Sequence, residues 1–239
     1  MNFSPRPTRL AFTLIELLTV IAIIAILMGL LFPAIGLVKE QANKARAKND
    51  VSNIVTAIRT YNVEYGKYPS VVDKTKPTSE DSVKDAICGD EAAGAEPDAT
   101  NSKLFNTLRA IPEGINKEPL HGLNPKRVVF FEGRSVSNIQ QPRGGFVDKE
   151  GAGENVKGNY YDPWGKQYTI IIDQNYNNIL DLQKQYTDFT ETAKDDTDDK
   201  GIRAGVGVFS LGKDNTLGKT GNKLYKEGSE ISDDVVSWQ

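Results

Sequence analysis

Glu16 is a carboxylate at the head of an apolar run that extends from residue 17 to residue 32. A charge carried into a bilayer costs roughly 2.5–3.5 kcal/mol even on lenient insertion scales. An acid kept there is kept for a reason or is paired with something. Elsewhere the chain is poor in catalytic side chains. It has 1 His (His121) and 1 Cys (Cys88), with no Gly-x-Ser-x-Gly elbow and no phosphate-binding loop beside them. A nucleophilic or acid–base site has too little to build from, so the expectation is a protein that is not an enzyme. The lone Cys88 forms no intrachain disulfide; in an exported protein it is an inert thiol or pairs between chains. Asp195, Asp196, Asp198 and Asp199 crowd together without a Gly-directed turn to gather them. They read as a solvated charged loop. The net charge of −3 gives no sign of nucleic-acid binding.

Glu16 must be positioned by the segment around it. Residues 12–32 supply about the ~20 residues that span a bilayer, behind a short leader containing Arg6 and Arg9. A secretory signal peptide has the same start, but here the apolar run meets Pro33 and Ile35 instead of a small-x-small cleavage site. A signal anchor fits the length. Lys39, Lys44, Arg46 and Lys48 outnumber Arg6 and Arg9, so flanking charge leaves the orientation open.

Past Pro33 the pattern changes. Val51, Ile54, Val55, Ile58, Tyr61 and Tyr65 recur at three- and four-residue spacings, one face of an amphipathic helix. Lys44, Lys48, Asn49, Asn53 and Arg59 take the other face. One helix therefore runs from about residue 12 to residue 64, on the order of 80 Å long. Pro33 removes a backbone donor and kinks or opens it, and Gly29 and Gly36 weaken it nearby. Gly66 and Pro69 stop it.

About 170 residues remain, one domain of ordinary size. Residues 70–99 read as a variable exposed loop with one short helix around 82–87. Residues 102–111 (Leu104, Phe105, Leu108, Ile111) form a short amphipathic helix, 127–131 a strand or extended segment, and 144–158 a glycine-rich loop. Strands are expected at 166–173, at 205–211 and at 235–238, with a tight polar turn at 173–178 and 179–182 returning from it. The fold class is α+β: a long N-terminal helix, transmembrane in its first half and amphipathic in its second, laid on a small antiparallel sheet.

Ala11-Phe12-Thr13-Leu14-Ile15-Glu16-Leu17-Leu18 resembles the type IV prepilin processing motif, shared by type IV pilins and the pseudopilins of type II secretion. The resemblance implies cleavage between Ala11 and Phe12 by a prepilin peptidase and N-methylation of Phe12. It also implies pairing of Glu16 with that amine, usually a neighbour's, as subunits assemble. Ala11 stands where the family usually has Gly. Family members often carry a proline at the place of Pro33, where the helix stretches on packing into a filament. The implied division is leader 1–11, transmembrane helix 12–33, amphipathic helix 34–66 and pilin-like head 67–239, with 67–100 a variable loop. The amino terminus stays inside and the head outside the inner membrane.

Two further motifs resemble the major pseudopilin in particular. Asp162-Pro163-Trp164-Gly165 matches its Asp-Pro-Trp-Gly turn, whose job is architectural. Ser210-Leu211-Gly212-Lys213-Asp214, followed by Asp233-Asp234 and Trp238, resembles a loop that in the family wraps calcium. By that resemblance Asp214, Asp233 and then Asp234 are side-chain ligands, joined by the Leu211 and Ile231 carbonyls. Residues 216–230 make a longer excursion than the family's, and a solvated acidic loop is the alternative. The implied function is a structural subunit that polymerises with itself, with minor pseudopilins and the secretion inner-membrane platform as partners. Alternatives are a type IV pilin of a surface pilus and a membrane-tethered ligand-binding module.

Overall fold

The computed structural model describes residues 13–71, 85–90, 93, 100–113, 116–117, 122–148, 157–182, 185–187, 201–227 and 229–238. The chain forms two compact units, Met1–Ala42 and Asn43–Gln239. A helix, α1 (Leu14–Tyr65), belongs to both.

In the first unit the apolar residues of α1 face outward on every side, from Leu14 to Phe32. The segment is long and apolar enough to cross a membrane. Helical structure continues through Pro33.

In the second unit α1 buries one stripe: Ala47, Val51, Ile54, Ala57, Ile58 and Tyr61. Val55 and Tyr65 pack at its margin. Gly66 ends the helix at φ +68, donating its N–H to the Asn62 carbonyl at 2.8 Å.

The stripe lies on a four-stranded antiparallel sheet. Its strands are β1 (Ala86–Cys88), β4 (Thr169–Ile172), β5 (Val206–Ser210) and β8 (Val235–Val236), in the order β1-β4-β5-β8. Between β1 and β4 come α2 (Ser102–Leu108), β2 (Gly145–Phe146) and β3 (Tyr160–Tyr161). The register sets Cys88 opposite Ile170, Ile170 opposite Val208, and Ile172 opposite both Ala86 and Val206. Successive side chains point to opposite faces. Ile170, Ile172, Val206 and Val208 therefore join α1 and α2 in one cluster. Ile171, Phe209 and Val236 join Leu180, Leu182, Tyr186, Leu217 and Tyr225 in another. Both faces are dry, which is why Ile170-Ile171-Ile172 runs apolar without alternation.

The long-helix-on-antiparallel-sheet arrangement is the α+β, pilin-like fold expected. Several local expectations are corrected. Ala86 and Ile87, assigned to a helix within a loop, belong to edge strand β1, because Ile170–Ile172 offers a ladder of backbone partners. Gly145 and Phe146, read as loop, pair with Tyr161 and Tyr160. Residues 179–182 do not return along β4: Leu180 bridges Ile202, and β5 takes the place beside β4. Between Asn215 and Asp233 lie a 3-10 turn (Lys219–Gly221) and a hairpin of β6 (Lys226–Glu227) and β7 (Glu230–Ile231). Segment 127–131 carries no ladder; Phe130 and Phe131 donate to the Leu108 carbonyl. Cys88 is fully buried, and burial pushes its thiol up to about 12, an inert group. His121 and the acidic run Asp195, Asp196, Asp198 and Asp199 lie outside the described residues.

Candidate functional site

At the head of α1, Thr13 and Glu16 satisfy each other. The Thr13 N–H donates to Glu16 Oε2 at 2.9 Å, the Thr13 hydroxyl to the same oxygen at 2.7 Å, and the Glu16 N–H to Thr13 Oγ1 at 3.2 Å. This is a capping box, in which the first turn's otherwise orphaned donors are taken up by side chains. The sequence alone pointed Glu16 at the Phe12 amine, usually a neighbour's; Thr-x-x-Glu ahead of an apolar run was the signal for this capping role. Ala11 and Phe12 lie outside the described residues.

The turn at 162–165 is built round a buried carboxylate. Asp162 has 0% exposure. Its Oδ1 accepts the N–H groups of Trp164 (2.9 Å), Gly165 (2.7 Å) and Lys166 (2.9 Å). Its Oδ2 accepts the Ser210 hydroxyl at 2.6 Å. Burial pushes the Asp162 carboxyl up, and these four donors oppose it. Gly165 sits at φ +104, where a side chain is strained, and a Cβ there would meet the Pro142 carbonyl at 3.1 Å. Pro163 is buried and Trp164 packs against the helix-side cluster.

Ser210 carries the connection onward, since its Oγ accepts the Gly212 N–H at 3.2 Å. Gly212 opens the acidic loop at φ +68, and a Cβ there would meet the Asp233 carbonyl at 2.6 Å and its Oδ2 at 2.8 Å. Asp233 Oδ2 accepts the N–H groups of Lys213 (2.6 Å) and Asp214 (3.1 Å). Carboxylate oxygens of Asp214, Asp233 and Asp234 lie within 4.8 Å of one another, a spacing that can hold a metal ion. Asp234 is 5% exposed; its Oδ2 accepts the Tyr186 hydroxyl (2.9 Å) and the Gly218 N–H (2.8 Å). Among the described residues its Oδ1 is buried without a partner, as are Asn215 Oδ1 and Thr216 Oγ1 on the same loop. Burial pushes the Asp234 carboxyl up to about 6, with the Asp233 charge adding to the rise. Buried oxygens without donors, gathered around three acids, fit a hard cation. Leu211 is buried beside Gly212, and Ile231 lies in β7 opposite Lys226. Tyr186, absent from the sequence reading, had no local signal: it reaches Asp234 across 48 residues.

Residues 6–32 match the prokaryotic N-terminal methylation motif. The match takes in Arg6, Arg9, Glu16 and the apolar start of α1. No curated protein and no solved structure matches the chain. The chain combines this motif with a pilin-like α+β arrangement and a helix long and apolar enough to cross a membrane.

Proposed function

We propose that this chain is a structural pseudopilin that polymerises into the periplasmic pseudopilus of type II secretion. The observation that carries the reading is the methylation motif at the start of α1, whose first half is apolar and exposed and whose second half is packed on the sheet. An apolar helix left exposed among the described residues is suited first to lipid and then to the helices of other copies. After cleavage between Ala11 and Phe12 the amine of Phe12 is the cation nearest Glu16, and the carboxylate is offered to a neighbour's. The inner membrane holds the subunit before assembly, with the head outside. The role is scaffolding and not catalysis.

The Ser210–Asp214 loop favours a pseudopilin over a surface pilin. In the proposed reading calcium is held by Asp214, Asp233, Asp234 and the Leu211 and Ile231 carbonyls. The ion supplies positive charge to carboxylates that burial otherwise pushes toward protonation, and it ties the end of β5 to the start of β8. Imaging of cells that carry the type II secretion platform but lack its outer-membrane pore tests the assignment. Filaments containing this chain are expected there. Filaments that form only with a type IV pilus assembly machine would place the chain among surface pilins.

A further inference from the structure

The β4–β5 connection begins Asp173-Gln174-Asn175-Tyr176-Asn177-Asn178-Ile179-Leu180-Asp181. Counted from Asp173, side-chain oxygens stand at the first, third, fifth and ninth places, and Ile179 stands at the seventh. Twelve-residue calcium loops place hard oxygens round one centre by this alternation, using a main-chain carbonyl at the seventh place. From sequence the segment passes for a polar turn, because Asn replaces Asp at two places and Gly at the sixth, and the twelfth is Lys184 instead of Glu.

The fold answers these departures. Asn178, at the sixth place, adopts φ +62, the left-handed turn that glycine makes there. Its N–H donates to Asp173 Oδ2 at 2.7 Å. Asn177 N–H donates to Asn175 Oδ1 at 2.9 Å, and Ile179 N–H to Asn177 Oδ1 at 2.8 Å. The loop is wound about its own side-chain oxygens. A carboxylate to replace the missing Glu comes from another segment. Asp85, at the foot of β1, accepts the Asp181 N–H on Oδ2 at 2.7 Å, across 96 residues.

Such winding alone describes only a polar turn. Burial is what points to a ligand. Asp173 has 0% exposure, and its Oδ1 has no hydrogen-bond partner among the described residues. Asp85 Oδ1 is buried and also without one. Among the described residues, the Asp173 and Asp181 carboxylates add negative charge beside the Asp85 carboxyl. A buried carboxylate oxygen without a donor is costly unless a cation meets it.

We propose that Asp173, Asn175, Asn177, the Ile179 carbonyl, Asp181 and Asp85 hold one cation of the calcium class. The site is separate from Asp214, Asp233 and Asp234. Thr169 pairs with Phe209 and Ile172 with Val206, so the two loops leave opposite ends of the β4–β5 pair. Here the ion fastens edge strand β1, through Asp85, to the β4–β5 connection.

The test uses the full chain in detergent, with calcium titrated by calorimetry and terbium as a luminescent probe. Tyr176, at the fourth place and 53% exposed, is the sensitiser of bound terbium. Two calcium ions per chain are expected. Asp173→Asn should remove one ion, and Asn177→Ala, at an exposed position, should weaken that ion at least tenfold. Both should lose the Tyr176-sensitised emission. Asn178→Gly should keep it. A single ion lost with Asp173→Asn supports this site even if Asp233→Asn changes nothing. Stoichiometry and emission unaffected by both Asp173→Asn and Asn177→Ala would overturn it, whatever Asp233→Asn does.

Discussion

The buried carboxylate of Asp162 accepts the Ser210 hydroxyl at 2.6 Å. The bond joins a turn ahead of β4 to the last residue of β5, 48 positions apart. Because Ser210 Oγ also accepts the Gly212 N–H, the two signature motifs form one hydrogen-bonded unit. The turn holds the serine, and the serine holds the glycine that brings the chain against Asp233.

Ser210→Ala is therefore expected to act at both ends of the relay. Asp162 Oδ2 would be left buried and short of its hydroxyl donor, a loss of about 1–3 kcal/mol. Urea denaturation of the variant checks the stability change. Calcium affinity at Asp214, Asp233 and Asp234 should fall as well, because Gly212 loses its acceptor. Unchanged stability would mean that the hydroxyl is idle.

Glu16 caps the start of α1 and, in the proposed function, pairs with an amine during assembly; two substitutions separate these roles. Glu16→Gln keeps a side chain that completes the capping box with Thr13 but removes the charge. Glu16→Ala removes both. Neither is expected to form filaments, although both should insert in the membrane and be processed. Filaments restored by Gln alone would show that capping, and not pairing with an amine, is what assembly needs.

Cleavage is expected between Ala11 and Phe12. Mass spectrometry of the mature chain should find N-methylated Phe12 as its first residue. A mature start beyond Pro33 would instead indicate ordinary signal-peptide processing.

Calcium should raise the melting temperature of the chain relative to chelator. Binding to the folded state alone stabilises by about 2.7 kcal/mol when the free ion is 100 times its dissociation constant. Asp214→Ala or Asp233→Ala should remove the share owed to the C-terminal loop, and adding Asp173→Asn should remove the rest. Asp196→Ala should change nothing. Equal melting of the unmutated chain with and without calcium would count against both sites.

Asp50 on α1 accepts the Tyr168 hydroxyl at 2.9 Å. Burial pushes its carboxyl up, opposed by Tyr168, Tyr160 and the charges of Arg134 and Arg46. A raised folded-state value means that folding takes up a proton here. The cost is absent below the unfolded value of about 3.9 and develops as pH rises through the folded one. Asp50→Asn should therefore gain stability relative to the unmutated chain between pH 4 and pH 7, read from denaturation midpoints. A difference that stays flat with pH would show that Asp50 does not titrate on folding.

Wherever the cause is local, the sequence sufficed. The stripe Val51, Ile54, Ile58 and Tyr61 shows the buried face of α1 because helical geometry repeats every 3.6 residues. Gly66 marks the helix end because the left-handed turn there favours glycine. The runs at β4, β5 and β8 are apolar enough to be seen alone, and the processing motif lies within one short stretch. What only the tertiary structure decided is what needs a partner from elsewhere in the chain. Ala86–Cys88 is a strand because Ile170–Ile172 lies beside it. Ser210 matters because Asp162 is buried next to it. The 173–181 segment becomes a candidate cation site only when Asp85 arrives from the foot of β1 and Asp173 is closed off from water. A carboxylate in sequence is simply charged; whether it is solvated, hydrogen-bonded or left in need of a cation depends on which segments fold over it.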